Sequence, residues 1–272
     1  GELKTKPTQH SVKTLLESGI QPDILVCRTE HHLNLDIRRK IALFCNVEKE
    51  SVIESIDVDT IYDVPLLMQK EGLDKAVLRK LKLRNHAEVS MKNWNTFLKK
   101  LKNPTKKIEI GLIGKYIELK DSYKSITESL LHAGTTNKCK VNIHWIHAEK
   151  INKKNRSKII GKLDGIIVAP GFGNRGIEGK IDSIQFVREN NIPFLGICLG
   201  MQTAVIEFAR NILKLKDVNS TELNKDCKNP VIDLMKGQKD VTQKGGTMRL
   251  GSYKCNLIKN SISFECYQKR NI

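Results

Sequence analysis

No apolar run in this sequence of 272 residues is long enough to cross a bilayer. A spanning helix needs roughly 18 apolar residues. The longest stretches here, LDGIIVAP and IPFLGICLG, have the length that is typical of buried strands. The sequence therefore predicts a protein with no membrane partner.

The sequence also lacks any CxxC pair, although it contains seven cysteines. An odd set at irregular intervals in a chain of this length is typical of reduced thiols, not of a disulfide framework. Reduced thiols persist in the cytosol, so we predict a cytoplasmic location.

Acidic and aromatic residues are both scarce. Thirty Asp and Glu stand against 47 Lys and Arg, which gives a formal net charge of +17, and aromatic residues make up only 5%. So few rings argue against a platform for stacking nucleic-acid bases. The lysines are spread over the whole chain, which favours a solvated basic surface that can still steer anionic substrates. We predict no nucleic-acid partner.

Apolar periodicity divides the sequence into two parts. Residues 1–98 carry short helical and strand patterns, and the charged, proline-containing segment KKLKNPTKK at 99–107 is the predicted linker. From residue 108 strands and helices alternate regularly, which predicts a parallel sheet with right-handed crossovers in a domain over 108–272. The strands are predicted at 108–114, 140–146, 163–170 and 192–197, and the helices at 122–131 (ended by Gly134), 149–161, 177–187 and 199–212.

The stretch PFLGICLGMQ places Cys198 between two glycines, after a predicted strand and before a predicted helix. G-x-nucleophile-x-G is the spacing of a strand–turn–helix elbow, in which the turn strains the backbone at the nucleophile. The N-terminus of the following helix favours the thiolate, which is the reactive form. A small buried cysteine is the alternative, but the strand, the glycines and the helix together favour a nucleophile.

A second glycine-rich turn, PGFGNRG, follows the preceding predicted strand. A thiolate that attacks an acyl carbon needs hydrogen-bond donors for the oxyanion. The carboxyl ends of neighbouring parallel strands meet at one edge of a sheet, so this turn can offer backbone N–H groups beside the cysteine. The N–H of Leu199, next to the nucleophile, is the second predicted donor.

These two motifs resemble the glutaminase domain of class I glutamine amidotransferases. The stretches GELKTKPTQHSV, IALFCNV, IGLIGKYIEL, DSYKSITE, RENNIPFLGICLGMQ, NSTE and GGTMRLG resemble the CTP synthase family over nearly the whole chain. The resemblance implies an α/β fold class: the end of a Rossmann-like synthetase domain, then a flavodoxin-like parallel-sheet amidotransferase domain. It also implies that ammonia released from glutamine passes to the synthetase domain, which uses ATP and Mg²⁺ to convert UTP to CTP.

Carried over position by position, the resemblance implies that Cys198 forms the glutamyl thioester and that Gly171 and Leu199 hold the oxyanion. Arg175 would belong to a lid that responds to GTP as an activator. Four further residues are implied to contact glutamine: Gly200, Met201, Gln202 and, on its amino group, Glu222.

In the first part of the chain the resemblance implies a site for UTP, or for CTP as feedback inhibitor. Lysines beside a proline-stiffened loop suit a triphosphate. The implied residues are Lys4, Thr5, Lys6, Pro7, Thr8, Gln9 and Lys40. ATP is implied to contact Ile56, Asp57 and Val58, and Ile56 stands where the family usually has a lysine.

Two features of the family are missing from these residues. No G-x-x-x-x-G-K-[ST] loop is present for the phosphates of ATP, and no histidine follows Cys198. The family uses a histidine paired with a glutamate, well after the nucleophile, as its base. The resemblance therefore implies that the phosphate loop, the Mg²⁺ ligands and the base lie outside this chain, with no metal site within it. His144 and His147 form an H-x-x-H pair without further ligands, for which a structural role is predicted.

Three hypotheses follow. The first is a CTP synthase of which this chain is an incomplete part, inactive alone and homotetrameric, as the family is, at full length. The second is a stand-alone amidotransferase subunit, against which KTKPTQHS and the linker argue. The third is a non-catalytic nucleotide-binding or assembly remnant, which an intact elbow does not exclude.

Overall fold

The computed structural model describes residues 3–83, 89–235 and 251–272. The chain forms two compact units, Gly1–Pro104 and Thr105–Ile272. The division between them falls inside the predicted linker, 99–107, but that linker was predicted too long. A helix continues to Lys102 and a strand begins at Lys106. Four of the five lysines of this segment occupy exposed positions of these elements, so its charge does not by itself indicate a linker.

The first unit contains two parallel strands, paired along their whole length. Val12, Ile41, Cys45 and Val52 form a buried cluster between these strands and the first two helices. The strands are β1 (Leu25–Thr29) and β2 (Val52–Ile56), and the helices within the described residues are α1 (Lys6–Glu17), α2 (Leu35–Cys45), α3 (Val64–Lys70), α4 (Leu73–Lys80) and α5 (Lys92–Lys102).

The prediction of a loop over KTKPTQ was wrong, because α1 begins at Lys6. Pro7 lies in the first turn of this helix, where its missing N–H costs nothing and its fixed φ suits the helix. Thr5 precedes the helix and is buried, and its Oγ1 accepts a hydrogen bond from Gln9 Nε2 at 3.1 Å.

The second unit is built on four parallel strands in the order β4-β3-β5-β6. Numbered within the unit this order is 2-1-3-4, which is the flavodoxin-like arrangement, so the predicted fold class is confirmed. The strands are β3 (Lys106–Gly114), β4 (Cys139–His147), β5 (Gly165–Val168) and β6 (Phe194–Gly196). The remaining elements of the described residues are α6 (Lys124–Thr136), α7 (Arg156–Ile160), α8 (Ile177–Glu189), α9 (Leu199–Asn211), β7 (Val218–Ser220), β8 (Asn229–Ile232) and α10 (Ile262–Tyr267).

Both faces of the central strand β5 are covered, and all four of its residues are buried. Ile166 and Val168 belong to one apolar cluster, which also contains Val187 from α8. Ile167 belongs to a second cluster with Leu112 of β3. A strand buried on both faces is typical of a parallel sheet with helices on either side.

Two helix predictions in this unit need correction. Gly134 lies inside α6 and does not end it. This position requires glycine for packing, because a Cβ there would stand 2.6 Å from the carbonyl oxygen of Cys139. The helix predicted at 149–161 is a short 3-10 turn followed by α7. Asn155 explains the break: its side chain accepts from Asn152 N and donates to Lys150 O, and such local bonds compete with a helix.

No helix in the described ranges is long and apolar enough to span a membrane. The motif GGTMRLG, apart from its last glycine, lies outside the described residues.

Candidate active site

Cys198 is exposed and stands between β6 and α9 with φ 54° and ψ −109°. A positive φ is costly for a residue with a side chain, by about 1–3 kcal/mol, and persists only where the surroundings enforce it. Residues in such conformations cluster at functional sites. The geometry is that of the predicted elbow.

The two glycines around the cysteine allow α9 to begin directly against the sheet. A Cβ on Gly200 would lie 2.1 Å from the carbonyl oxygen of Val168, at the end of β5. A Cβ on Gly196 would lie 2.6 Å from the carbonyl carbon of Gly200. The G-x-C-x-G spacing is therefore a packing requirement at this corner of the fold.

Leu199 is the first residue of α9, and helices leave the N–H groups of their first turn without intrahelical acceptors. Its side chain is buried in a cluster with Ile177 and Ile181 of α8, which anchors the start of the helix. Met201 is exposed and Gln202 is half-buried, in the same first turn. The residues predicted around the nucleophile are thus brought together by one short segment.

The turn Pro170–Gly173 follows β5, and Lys115 reaches it from the end of β3. The Nζ of Lys115 donates to the carbonyl oxygens of Phe172, at 2.6 Å, and of Gly173. Its aliphatic stem passes Gly171, since a Cβ on that glycine would lie 3.6 Å from Lys115 Cδ. Lys115 is only 2% exposed. Burial lowers its pKa, as does Arg175, whereas Glu149 and Glu222 act in the opposite direction.

Lys180 of α8 is a second buried ammonium at the same turn. It is fully buried, and its Nζ donates to the carbonyl oxygen of Ala169 at 2.6 Å. Burial and, to a smaller extent, Lys115 lower the pKa of Lys180, while Cys198 raises it, and the resulting pKa is about 8. Sequence reasoning missed this residue, although its place three residues after Ile177, on the apolar face of a predicted helix, was a usable signal.

Glu222 and Arg175, predicted for the amino group of glutamine and for the lid, both lie within electrostatic reach of Lys115. Glu222 follows β7, and its backbone N–H donates to Ser220 Oγ at 3.2 Å. Arg175 Nε lies 2.9 Å from Glu149 Oε1 on a partly exposed surface. The segments that follow β3, β5, β6 and β7 therefore converge at the carboxyl ends of the strands of the four-stranded sheet.

Comparisons with known proteins identify both units. The family "CTP synthase N-terminus" matches residues 1–83, and "Glutamine amidotransferase class-I" matches residues 118–271. Over 271 residues the chain is 63% identical to the CTP synthase of Cytophaga hutchinsonii, covering all of this chain and 50% of that protein. The chain belongs to the CTP synthase family. Its second unit is a class I glutamine amidotransferase domain.

A less similar CTP synthase matches over the same length of this chain. The protein of Methanocaldococcus jannaschii is 52% identical over 278 residues, which cover all of this chain and 51% of that protein. The chain thus spans about half the length of the curated relatives it matches. A solved structure of the Trypanosoma brucei CTP synthase glutaminase domain, with bound acivicin, superposes with a TM-score of 0.51 at 31% identity, covering 60% of this chain and 64% of that one.

The two histidines of the H-x-x-H pair do not approach the cysteine through the sheet. His144 and His147 lie on β4, at the edge opposite β6. Three strand spacings of about 4.8 Å separate these strands by about 14 Å. His144 Nε2 is instead 2.5 Å from Glu109 Oε2, and His147 Nε2 is 3.7 Å from Glu118 Oε1.

The residues predicted for nucleotides in the first unit lie mostly on its surface. Lys4, Lys6 and Lys40 are exposed, and α1 and α2 pack on each other. Asp57 follows β2 at the carboxyl edge of the strand pair, with its Oδ1 2.9 Å from Arg28 Nε. Val58 is also exposed. Carboxyl edges of parallel strands are where α/β folds bind nucleotides.

The described residues contain no group of three or more His, Cys, Asp or Glu side chains placed to hold a metal ion. The side chains present therefore do not fit a Mg²⁺ site, and we derive no chemical step through Mg²⁺.

Proposed function

We propose that the second unit hydrolyses glutamine, with Cys198 as the nucleophile. The observation that carries the proposal is the exposed Cys198 held at positive φ at the start of α9, near the glycine-rich turn after β5. Its sulfur attacks the side-chain amide carbon, and the carbonyl oxygen becomes an oxyanion. The N–H groups of Gly171 and Leu199 stabilise this charge, as preorganised backbone donors do in acyl transfer.

Collapse of the tetrahedral intermediate breaks the C–N bond. The nitrogen takes up a proton and leaves as ammonia, while the glutamyl group stays on the sulfur as a thioester. Water then attacks the thioester and releases glutamate and the thiol. The proton transfers need a base, which we propose is contributed by residues outside this chain.

For recognition of glutamine, we propose that Glu222 binds its α-ammonium group and that Gly200, Met201 and Gln202 line its side chain. A half-buried carboxylate is a suitable partner for an ammonium. The acivicin bound to the related glutaminase domain supports a pocket for amino-acid-like electrophiles in this family. Arg175, beside Glu149 on the surface, is proposed as the lid residue that responds to GTP.

For the whole protein, we propose the ATP-dependent amination of UTP to CTP with this ammonia, in the cytoplasm. The family and the seven free cysteines support this assignment. Mg²⁺ would be held by residues outside this chain, ATP would be a substrate, GTP an activator and CTP a feedback inhibitor. A homotetramer of the full-length protein is part of the same proposal.

The nucleotide part of the proposal concerns the first unit. UTP or CTP would bind at Lys4–Gln9 and Lys40, and ATP at Ile56–Val58. A ligand that binds only the folded state raises the unfolding temperature by mass action. We expect CTP to raise it for the wild type and for Lys99→Met, a variant on the exposed face of α5, but less for Lys40→Met. Equal stabilisation of all three would place CTP elsewhere.

The glutaminase proposal is tested by acivicin labelling of residues 1–272, followed by intact mass and peptide mapping. We expect labelling at Cys198, protection by glutamine, and a slower reaction in Glu222→Gln. Labelling that glutamine does not slow would contradict the proposal and favour a non-catalytic remnant. Steady turnover of glutamine by residues 1–272 alone is not expected, because no histidine follows Cys198; ammonia release measured in a coupled assay checks this.

A further inference from the structure

Two buried ammonium groups hold the two ends of the same turn. Lys180 donates to the carbonyl oxygen of Ala169, the residue just before the PGFG turn (residues 170–173). Lys115 donates to Phe172 and Gly173 at its far end. The Pro170–Gly171 peptide lies between these anchors and carries the N–H that the proposed mechanism uses.

This arrangement controls where the N–H of Gly171 points. A trans peptide is planar, so Lys180 fixes the plane of the Ala169–Pro170 peptide, and the ring of Pro170 fixes the φ angle that follows it. Lys115 fixes the planes of the two peptides whose carbonyls belong to Phe172 and Gly173. With carbonyls held on both sides, and the stem of Lys115 packed against Gly171, the peptide between them has little freedom to rotate. An unpinned glycine turn would instead sample several conformations.

The choice of lysine for this task is costly. Burying a charged group without a counter-ion is strongly unfavourable, and a neutral donor could satisfy a carbonyl at lower cost. The charged groups that act on Lys180 are Lys115 and Cys198; those that act on Lys115 are Arg175, Glu149 and Glu222. Positive charge beneath the site would stabilise an oxyanion, which is a use that a neutral donor cannot match.

We propose that Lys115 and Lys180 are positioning residues of glutamine hydrolysis, which orient the N–H of Gly171 in the PGFG turn towards the oxyanion. The inference rests on the proposed glutaminase function. It predicts that reactions that build an oxyanion at Cys198 depend on these lysines, whereas reactions that build none do not.

The test compares two reactions of Cys198 in residues 1–272. A γ-thioester of L-glutamate acylates the cysteine: the sulfur attacks the acyl carbon, an oxyanion forms, and the thiol leaves with a proton from water. Iodoacetamide alkylates it at a saturated carbon, displacing iodide without an oxyanion. Neither reaction needs the proposed base. Peptide mapping follows each product, and Cys198→Ala gives the background.

We expect Lys115→Met and Lys180→Met to slow acylation about tenfold or more, since loss of one oxyanion donor costs about 10²–10³ and misplacement somewhat less. Alkylation should stay within about twofold of the wild type. The control is Val187→Ala, which truncates a core residue on the same helix as Lys180, two turns away. Its ratio of acylation to alkylation should match the wild type.

Equal acylation of wild type and lysine variants would overturn the proposal while leaving the glutaminase function intact. A parallel fall in both reactions would also overturn it, because the lysines would then act on the thiol or on the fold. If the wild type itself is not acylated above background, the glutaminase proposal fails and this inference fails with it.

Should the lysine variants not fold, the wild type alone decides. Both reactions use the same thiolate, so their ratio cancels its ionisation. Near pH 8 Lys180 loses its charge, so its charge-assisted hydrogen bond to Ala169 O becomes a neutral bond of about half the strength and holds the turn less firmly. We therefore expect the ratio to fall about threefold or more between pH 7 and pH 9. A ratio that stays constant over this range would overturn the proposal.

Discussion

Replacing the buried lysine Lys180 by methionine should change the stability of the second unit in a way that depends on pH. The side chain is fully buried, with one hydrogen bond to Ala169 O. Methionine fills nearly the same volume, carries no charge and cannot donate. The substitution therefore removes a buried charge and a hydrogen bond together, and pH separates the two effects.

The magnitude follows from linkage. The pKa of Lys180 is lowered from 10.5 to about 8, and each pH unit is worth about 1.4 kcal/mol, so the buried charge costs about 3 kcal/mol. Below pH 8 both states are protonated and the folded state bears this cost in full. Between pH 8 and 10.5 the unfolded chain holds the proton that the folded chain has lost, so the free energy of unfolding of the wild type rises.

Lys180→Met should accordingly be neutral or stabilising at pH 7, where relief of about 3 kcal/mol offsets the lost hydrogen bond of about 1–3 kcal/mol. At pH 10.5 only the loss remains. The difference in unfolding free energy between variant and wild type should therefore shift by about 3 kcal/mol against the variant between these pH values. Effects of pH on all other groups cancel in this difference.

Urea unfolding measures the shift. Each unit contains one tryptophan, so Trp94→Phe leaves Trp145 of β4 as the fluorescence probe of the second unit. Lys158→Met, on an exposed position of α7, is the matched control and should show no pH-dependent difference. A constant difference between Lys180→Met and its parent at pH 7 and 10.5 would refute the reasoning, because the ammonium would then carry no burial cost.

Two further substitutions test the packing of the second unit by urea unfolding. Gly200→Ala should lower the free energy of unfolding by about 3 kcal/mol or more, because its Cβ would meet a backbone carbonyl oxygen at 2.1 Å. Gly173→Ala, whose Cβ would meet nothing within 4 Å, should lower it by only about 1 kcal/mol, because of its φ of 74°. Equal losses in the two variants would contradict the steric argument. Arg188→Met should cost about 3–5 kcal/mol, because Glu207, only 1% exposed, loses the cation that pairs with its charge. Lys124→Met, which breaks a more exposed i,i+4 pair, should cost under about 1 kcal/mol, and a similar loss in both variants would refute the burial argument.

The sheet and the elbow of the second unit could be predicted because their signals are local. Each strand is a short apolar run, and each crossover helix follows within the spacing of a parallel sheet. The G-x-C-x-G spacing is equally local, since both glycines are required by contacts within the same turn or with the adjacent strand end. The roles of the residues around Cys198 remain predictions.

Other features depend on contacts that no short stretch of sequence contains. The position of Gly134 inside α6 follows from the approach of β4, and the break after Lys150 follows from the hydrogen bonds of Asn155. Lys6 and Pro7 were predicted as a loop because a proline often marks one, whereas proline also suits the first turn of a helix. The charge, the proline and the absence of apolar periodicity in KKLKNPTKK gave the predicted linker its excess length.

The lysines beneath the turn show why a motif describes only half of this site. The glycine-rich turns after β5 and β6 are recognisable in sequence because backbone geometry demands glycine there. Lys180 comes from the middle of α8, in a stretch with no motif of its own. Lys115 follows β3 within IGLIGKYIEL, a stretch that resembles the family but does not by itself indicate a contact with the turn. A glycine turn can adopt many conformations, so it needs partners elsewhere in the fold to select one. Since such partners need only a donor at the correct distance, their sequence signal is a single polar residue in an apolar context.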